Sequence, residues 1–512
     1  MQKKWGVAGA FLAAVLLQLL FINWTCDDSF ISFRYADNLA RGDGLVFNPG
    51  ESVEGYSNFL WVLILAGGRL IGLAPLLLSK GLGVLAALLS LFLLYRTIGL
   101  WRLDPVLQQG VVLLLGLTAG FAYFAVSGME TVFYAALLLL AVFLQKKYDR
   151  DSKPARLYFL YGTLFLISLT RPEGILFFGL TGLFHWTLYF RRRFLHPWRT
   201  LLFPQILWGA SYGLFLLWRL TTYGDLLPNT FYAKPPGTFV SYESTALVGN
   251  LIKALPSGSF LLLLIPVLLI WKKRRTDFVY PLLIILGQLV FISYSGDWMA
   301  FGRFFLPVLP LVLLVSAAAA ASLKEGKKRI RPLYPAVVLS AVLLYAGLNG
   351  LAVVRSLNNE GIYPYSVMKS TALQSLGRQL KEGYSPETVI CIRRQGAVPY
   401  VSGFRSIDIL GLTDRTIARF NSGSDTTIEA NSKTAQNIIR RRPDVILLFA
   451  AEGLDQGWMF DYKYPLHRLY HREFLLYQGA LQSGYSVESV KKHIGDELVI
   501  ILGIPPPNRD LL

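Results

Sequence analysis

The sequence predicts a polytopic α-helical membrane protein ending in an extracytoplasmic α/β domain. Three observations predict it. Hydrophobic residues make up 54% of the 512 residues and charged ones only 16%, where a soluble domain carries about 25% charged. The apolar residues gather into runs of the length that a hydrocarbon core ~30 Å thick demands. The excess positive charge is confined to alternate loops, as the positive-inside rule requires.

The first run, 6–23, follows Lys3 and Lys4 and lacks a small-residue cleavage site before Trp24, so it reads as a retained helix. Further spans fall near 80–97, 106–123, 130–146, 155–170, 174–190, 201–220, 253–271, 278–294, 304–322 and 334–351, about eleven in all. Residues 59–73 are apolar but short, and Gly67, Gly68 and Arg69 interrupt them. They read as a re-entrant or interfacial helix. Charge decides this. With 59–73 left out of the count, one set of loops holds 22 Lys or Arg against five acids, +17 of the total +18. If 59–73 crossed the membrane, every later loop would change sides and the asymmetry would reverse. The basic loops are therefore cytoplasmic, and the net charge needs no nucleic acid to explain it. The chain reads as a multi-pass membrane protein.

After about residue 352 the apolar runs shorten to strand length: TVICI at 388–392, SIDIL at 406–410, DVILLF at 444–449 and ELVIILGI at 497–504. Helical patterns such as 428–441 alternate with them. The chain divides into a membrane unit, 1–351, whose outer loop is 24–79, and an α/β domain, 352–512. By the same parity that domain is extracytoplasmic. Two cysteines, Cys26 and Cys391, exclude a disulfide framework and a multi-cysteine metal site, and leave a single bridge open.

The features that carry chemistry share the outer side. Asp27 and Asp28 stand at the mouth of the first helix, where two carboxylates are costly to place. An N-cap role for Asp28 accounts for one of them. The other points to general-base work on an acceptor hydroxyl. Residues 29–41 read as an amphipathic helix with Phe30, Phe33, Ala36 and Ala40 on one face and Gly42 as its stop. Asp37 and Arg41 read as a surface pair. Arg171 in TRPEG, Arg303 after SGDWMAFG and Lys234 between Tyr232 and Pro235 are outward cations suited to a phosphate. Glu173 partners Arg171 or a ligand. Glu130, in SGMET, begins a helix, where an acid suits the dipole, and reads as structural or positioning. Asp297 and Trp298 read as ligand groups, and Glu54, Tyr56 and Asn58 of the first outer loop as substrate contacts. Trp24, Tyr35, Tyr56, Trp61, Tyr223, Tyr232 and Trp298 form an interfacial belt or stack on sugars. There is no Walker-type loop, no dinucleotide GxGxxG after a strand, and no histidine at metal spacing. No cofactor is implied, and a divalent cation at Asp27/Asp28 is left open.

The run DDSFISFRYADNLARGDGLVFNPGESVEGYSNFLW resembles the first outer loop of bacterial GT-C glycosyltransferases, close to the mycobacterial terminal arabinofuranosyltransferase group. SGMET, TRPEG, GDWM…RFF and GAVPYVSGFRSIDILGLTDR at 396–415 are similar to that group in the same order. The resemblance implies a GT-C fold. It also implies a transferase taking a pentose or hexose from a polyprenyl-monophosphate donor to a cell-envelope glycan or glycolipid acceptor at the outer face of the bacterial cytoplasmic (inner) membrane. It implies a catalytic acid at Asp27 or Asp28 and cations around the lipid phosphate at Arg171, Lys234 and Arg303. A transporter or flippase of lipid-linked glycans is the rival reading. It predicts charges near the midplane and an inverted repeat, and the spans show neither. A non-catalytic scaffold binding glycan through its tail is a third.

Overall fold

The computed structural model describes residues 2–191, 196–234, 278–295, 299, 301–326, part of 344–358, 362–423, 427–451, 467–494 and 497–503. Its first half is helical: α1 (Gln2–Leu20), α2 (Asp27–Arg41), α3 (Phe59–Leu70), α4 (Pro75–Leu100), α5 (Pro105–Gly116), α6 (Ala119–Ala125), α7 (Thr131–Asp151), α8 (Pro154–Thr170), α9 (Gly174–Phe190), α10 (Trp198–Tyr223) and the single turn α11 (Asn229–Ala233). Among the described residues, helices Val279–Ser295 and Leu309–Gly326 follow.

Local chemistry sets several boundaries. Pro75 and Pro105 occupy first-turn positions of α4 and α5, where a missing N–H costs nothing. The Asp104 carboxylate caps α5 by accepting the Val106 N–H at 2.9 Å. Gly42 ends α2 with φ 87°, a left-handed conformation that needs glycine. The N-cap of α2 is Cys26, and Asp27 and Asp28 lie in its first turn. Neither aspartate is the cap expected from the sequence. Both suit the positive end of the helix dipole.

Among the described residues, α4, α7 and α10 are long and apolar enough to cross a membrane, and the pair α5–α6, bent by 55°, makes a fourth if counted as one span. The shorter apolar helices are Gly6–Leu20, Phe59–Leu70, Gly174–Phe190, Val279–Ser293 and Leu306–Ala319. The expected span at 253–271, and most of that at 334–351, lie outside the described residues. Helix α3 has 12 residues. At ~1.5 Å per residue it reaches ~18 Å, short of the hydrocarbon thickness. Helix α7 is the hub, with 78% of its apolar window buried, while α10 is peripheral at 22%. Leu207, Leu214 and Leu217 of α10 and Leu77, Leu85 and Phe92 of α4 face outward, as lipid-facing side chains do. Glycines let backbones touch. A Cβ at Gly83 would meet the Ala125 carbonyl oxygen at 1.8 Å, and one at Gly116 would meet that of Ala10 at 2.5 Å. Packing through small residues is what holds helices together where lipid removes the hydrophobic drive.

The C-terminal part is a five-stranded mixed sheet. Its strands are β1 (Val389–Ile392), β2 (Arg405–Asp408), β3 (Val445–Ala451), β4 (Ser486–Ile494) and β5 (Glu497–Gly503), in the order β2-β1-β3-β5-β4. β1 pairs in parallel with β2 and β3, while β5 pairs antiparallel with β3 and β4. Strand periodicity splits the side chains between two cores. Cys391, Ile407, Ile446 and Leu448 pack with Ile438, Leu476 and Ala480 from helices Thr427–Arg441 and His467–Gln482. Ile390, Ile392, Val445, Leu447 and Phe449 instead join Phe30, Phe33, Tyr35, Trp61 and Leu65 of α2 and α3. The helix Ile362–Gly383, through Leu373, Leu376 and Leu380, and the short helix Ala397–Ser402 belong to the same cluster, and Ala397–Ser402 is the element that meets α2.

Polar bonds pin that joint. Buried Arg34 donates to the carbonyls of Phe47 at 2.7 Å, Pro399 at 2.6 Å and Phe404 at 2.7 Å. Asn48 donates to the Ser406 carbonyl at 2.9 Å and accepts the Ser406 N–H at 3.1 Å, pairing with β2 as a strand would. Asp37 bonds Arg69 at 3.1 Å and Tyr400 at 3.1 Å, while Arg41 reaches Asp43 at 3.2 Å. The expected Asp37–Arg41 surface pair is thus replaced by contacts to α3 and to the C-terminal part. Both cysteines are buried and free, which removes the open bridge between them.

Candidate active site

The site is built where α2, the 127–130 turn, the α8–α9 corner and the turn before Leu306 meet. Glu130, immediately before α7, is its centre. Its Oε1 accepts Arg171 Nη1 at 2.6 Å and Arg303 Nη2 at 3.0 Å, and its Oε2 accepts Asn58 Nδ2 at 2.9 Å. Glu130 is 1% exposed. Burial alone would raise its carboxyl, but Arg303 and Arg171 outweigh burial and hold it down at about 2. It stays a carboxylate under any physiological condition.

Arg171 follows the C-terminus of α8, where Pro172 prevents the helix from continuing. It forms a second ion pair with Glu173, and its guanidinium lies 4.8 Å from the Phe304 ring centre. Arg303 reaches the same corner from the other side, over the same ring at 5.4 Å. Its Nε makes no hydrogen bond among the described residues. Two arginines sharing one carboxylate are thus fixed side by side.

The two aspartates have separate surroundings. Asp27 Oδ1 accepts the Ala397 N–H at 2.8 Å, and a Cβ at Gly396 would strike the Asp27 carbonyl oxygen at 2.0 Å. Burial raises its carboxyl, opposed by that N–H and by Arg394. Asp27 is thus tied to the C-terminal part. Asp28 is half-buried and, among the described residues, its carboxylate makes no hydrogen bond or ion pair. Lys234, at the end of α11, is exposed. Crowding by surrounding protein nevertheless lowers its pKa. Asp28 opposes that shift, Arg303 adds to it, Asp408 opposes it, and Arg171 adds to it. Lys234 is thus within electrostatic reach of Asp28, Arg303 and Arg171, and Glu130 holds the two arginines.

Of the residues singled out from sequence, the structure brings together Asp28, Arg171, Arg303, Lys234, Glu130, Glu173 and Asn58. Asn58 bridges α2 to Glu130, exchanging hydrogen bonds with Ser32 at 3.2 and 3.1 Å. Glu54 and Tyr56 are engaged with α10. Glu54 pairs with Arg219 at 2.8 Å, and burial, against that arginine, pushes its carboxyl up to about 7. The Tyr56 hydroxyl meets that of Tyr223 at 3.1 Å. Asp297 and Trp298 lie outside the described residues. Sequence reasoning passed over Arg34, Asn48, Arg219, Asn229 and Asp408, whose partners lie far along the chain. No group of three His, Cys, Asp or Glu among the described residues has metal-binding geometry.

Comparisons with known proteins agree on the fold. A family described as Domain of unknown function (DUF8728) matches residues 363–490. The terminal beta-(1->2)-arabinofuranosyltransferase of Mycobacterium tuberculosis is 28% identical over 276 residues, 51% of this chain and 43% of that protein. The match thus spans less than half the length of that relative. ArnT from Cupriavidus metallidurans in the apo state superposes with TM-score 0.56 at 15% identity, over 97% of this chain and 98% of that one. ArnT bound to undecaprenyl phosphate does so with TM-score 0.50 at 15% identity, over 98% of both chains. The oligosaccharyltransferase of Archaeoglobus fulgidus, tethered with an acceptor peptide, gives TM-score 0.55 at 11% identity over 88% of this chain and 69% of that one. ArnT and the archaeal enzyme are GT-C glycosyltransferases, and this chain has the GT-C fold.

Proposed function

We propose that this chain is a glycosyltransferase of the cytoplasmic membrane. It moves a sugar from a polyprenyl-phosphate donor to a cell-envelope glycan or glycolipid acceptor on the outer face. Residues 1–351 form the catalytic membrane unit, and 352–512 an extracytoplasmic domain. The observation that carries the reading is the cluster itself: Arg171 and Arg303 fixed on Glu130, and Lys234 within electrostatic reach of both arginines and of Asp28, whose carboxylate has no hydrogen-bond partner among the described residues. The arabinofuranosyltransferase match and the ArnT complex with undecaprenyl phosphate support the same donor class, with a pentose as the first candidate sugar.

The chemistry follows from charge. The donor phosphate sits among Arg171, Arg303 and Lys234, where arginine offers a forked donor and lysine a point charge. An acceptor hydroxyl oxygen attacks the anomeric carbon of the sugar. The bond from that carbon to the phosphate oxygen breaks, and polyprenyl phosphate leaves with the electron pair. The cations stabilise the charge that develops on it. Asp28 takes the proton of the attacking hydroxyl. Asp28 suits this role better than Asp27, whose oxygen already accepts a backbone N–H. Glu130 and Glu173 act on the arginines and keep their forks aimed.

The test supplies purified protein in lipid nanodiscs with a radiolabelled polyprenyl-phosphate pentose and cell-envelope glycan. Transfer of label to glycan, with release of polyprenyl phosphate, is the expected result. Movement of the lipid-linked sugar between leaflets without cleavage would replace this reading with that of a flippase.

A further inference from the structure

The segment that carries Lys234 has two ties to the membrane unit, the Asn229 N–H on the Glu54 carbonyl at 2.9 Å and Arg219 on the Leu226 carbonyl at 3.0 Å, and among the described residues the rest of its side-chain contacts are to the C-terminal part. After α10 ends at Gly224, φ 72°, Asp225 pairs with both Arg415 and Arg419. Asn229 donates its side-chain amide to the carbonyls of Gly411 at 2.7 Å and Leu412 at 2.9 Å. The Arg419 guanidinium lies 3.7 Å from the Tyr232 ring centre. The Ala233 carbonyl, one residue before the lysine, accepts Asn421 Nδ2 at 3.1 Å.

The gripping side is itself rigid. Asn421 also donates to the Leu410 carbonyl at 2.9 Å, and its Oδ1 accepts Arg472 Nη2 at 2.7 Å. Buried Arg472 bonds the Ile409 carbonyl at 2.7 Å and Asn431 Oδ1 at 2.8 Å. Asp408 closes the turn by accepting the N–H groups of Leu410 at 2.8 Å and Thr413 at 2.9 Å. Gly411 has φ 82°, and a Cβ there would meet the Ala418 nitrogen at 2.6 Å. All these gripping residues lie within 363–490, the stretch matched by a family of unknown function.

We propose that the turn 408–414 and the helix Arg415–Gly423 are a clamp that positions Lys234, with Asn229 and Asn421 as its two positioning residues. This gives the C-terminal domain a task in donor binding, separate from any contact with acceptor. The proposal rests on the reading of Lys234 as a donor-phosphate ligand. Through residue 233 the connection after α10 is therefore a fixed arm rather than a free lid. An amide has the right chemistry for the grip. It donates to backbone carbonyls and carries no charge that would compete with the lysine for a phosphate.

Full-length protein in nanodiscs tests this with undecaprenyl phosphate as the probe, in a double-mutant cycle between Asn421→Ala and Lys234→Ala. Asn229→Ala serves as a second route should Asn421→Ala fail to fold. Lys234→Ala is expected to weaken binding about tenfold, the scale of a charge-assisted hydrogen bond. Asn421→Ala should weaken it severalfold and speed amide exchange at 229–234. The double variant should bind no worse than Lys234→Ala, because a positioning residue has nothing left to position. Additive losses, or unchanged exchange at 229–234, would overturn the clamp while leaving Lys234 as a ligand. Unaltered binding by Lys234→Ala would instead remove the reading beneath it, and the positioning role with it.

Discussion

Replacing Glu130 by glutamine removes one negative charge and keeps the size of the side chain. In the native site that carboxylate accepts Arg171 at 2.6 Å, Arg303 at 3.0 Å and Asn58 at 2.9 Å. The amide would place a donor against one of those donors, leave Arg171 with Glu173 alone and leave Arg303 with no carboxylate among the described residues. The folded protein holds Glu130 at about 2 instead of the usual 4.5. At ~1.4 kcal/mol per pH unit that preference for the ionised form is worth ~3 kcal/mol. Breaking a buried ion pair from one side costs ~3–5 kcal/mol, the same scale. Because the folded value is depressed, this contribution is complete above 4.5 and disappears as pH falls towards 2. The assay is thermal unfolding in nanodiscs at fixed scan rate. Glu130→Gln should unfold ~3 °C below wild type at pH 7, with the gap about halved at pH 3. Equal unfolding temperatures at pH 7, or a gap that persists undiminished in acid, would refute the reasoning.

Other outcomes follow from the same geometry. Arg303→Lys keeps the charge and loses the fork, so KM for a polyprenyl-phosphate donor should rise about tenfold with a smaller change in kcat. An unchanged KM would remove Arg303 from the phosphate site. Residues 352–512 expressed alone would bare Tyr400, on which Phe30 and Phe33 pack in the full chain, and leave the carbonyls of Pro399 and Phe404 without Arg34. That fragment should aggregate or bind a hydrophobic dye, and a monodisperse fragment would contradict the shared core. Cys26 and Cys391 are buried and free, so a thiol reagent should label neither in the folded protein and both after denaturation, with or without prior reduction.

What the sequence revealed was mostly local. The spacing of Phe30, Phe33 and Ala36 and the stop at Gly42 mark α2 without any partner in view. β1, β2, β3 and β5 are short apolar runs and stand out likewise. β4 does not, because Ser486–Ile494 carries Ser, Glu, Lys and His with few apolar residues, as an edge strand can. In the site, Arg171, Arg303 and Lys234 were visible as cations on outward loops. That the first two share Glu130 was not, since those positions are 41 and 173 residues from it along the chain. The aspartate pair reads as two equivalent acids in sequence. Adjacent residues of a helix point about 100° apart, so Asp27 meets Ala397 while the Asp28 carboxylate is left without that bond. Glu54 and Tyr56 looked free because Arg219 and Tyr223, their partners, sit on a distant helix.

The central claim is that Asp28 is the proton acceptor in sugar transfer, with Asp27 holding the C-terminal part in place. The most direct measurement is single-turnover transfer from a labelled polyprenyl-phosphate pentose by Asp28→Asn and Asp27→Asn, each compared with wild type. Asp28→Asn should lose ~10²–10⁴-fold in rate with undecaprenyl phosphate binding retained, and Asp27→Asn should keep the rate within about tenfold while unfolding earlier. Full transfer by Asp28→Asn, or a rate loss confined to Asp27→Asn, would contradict it.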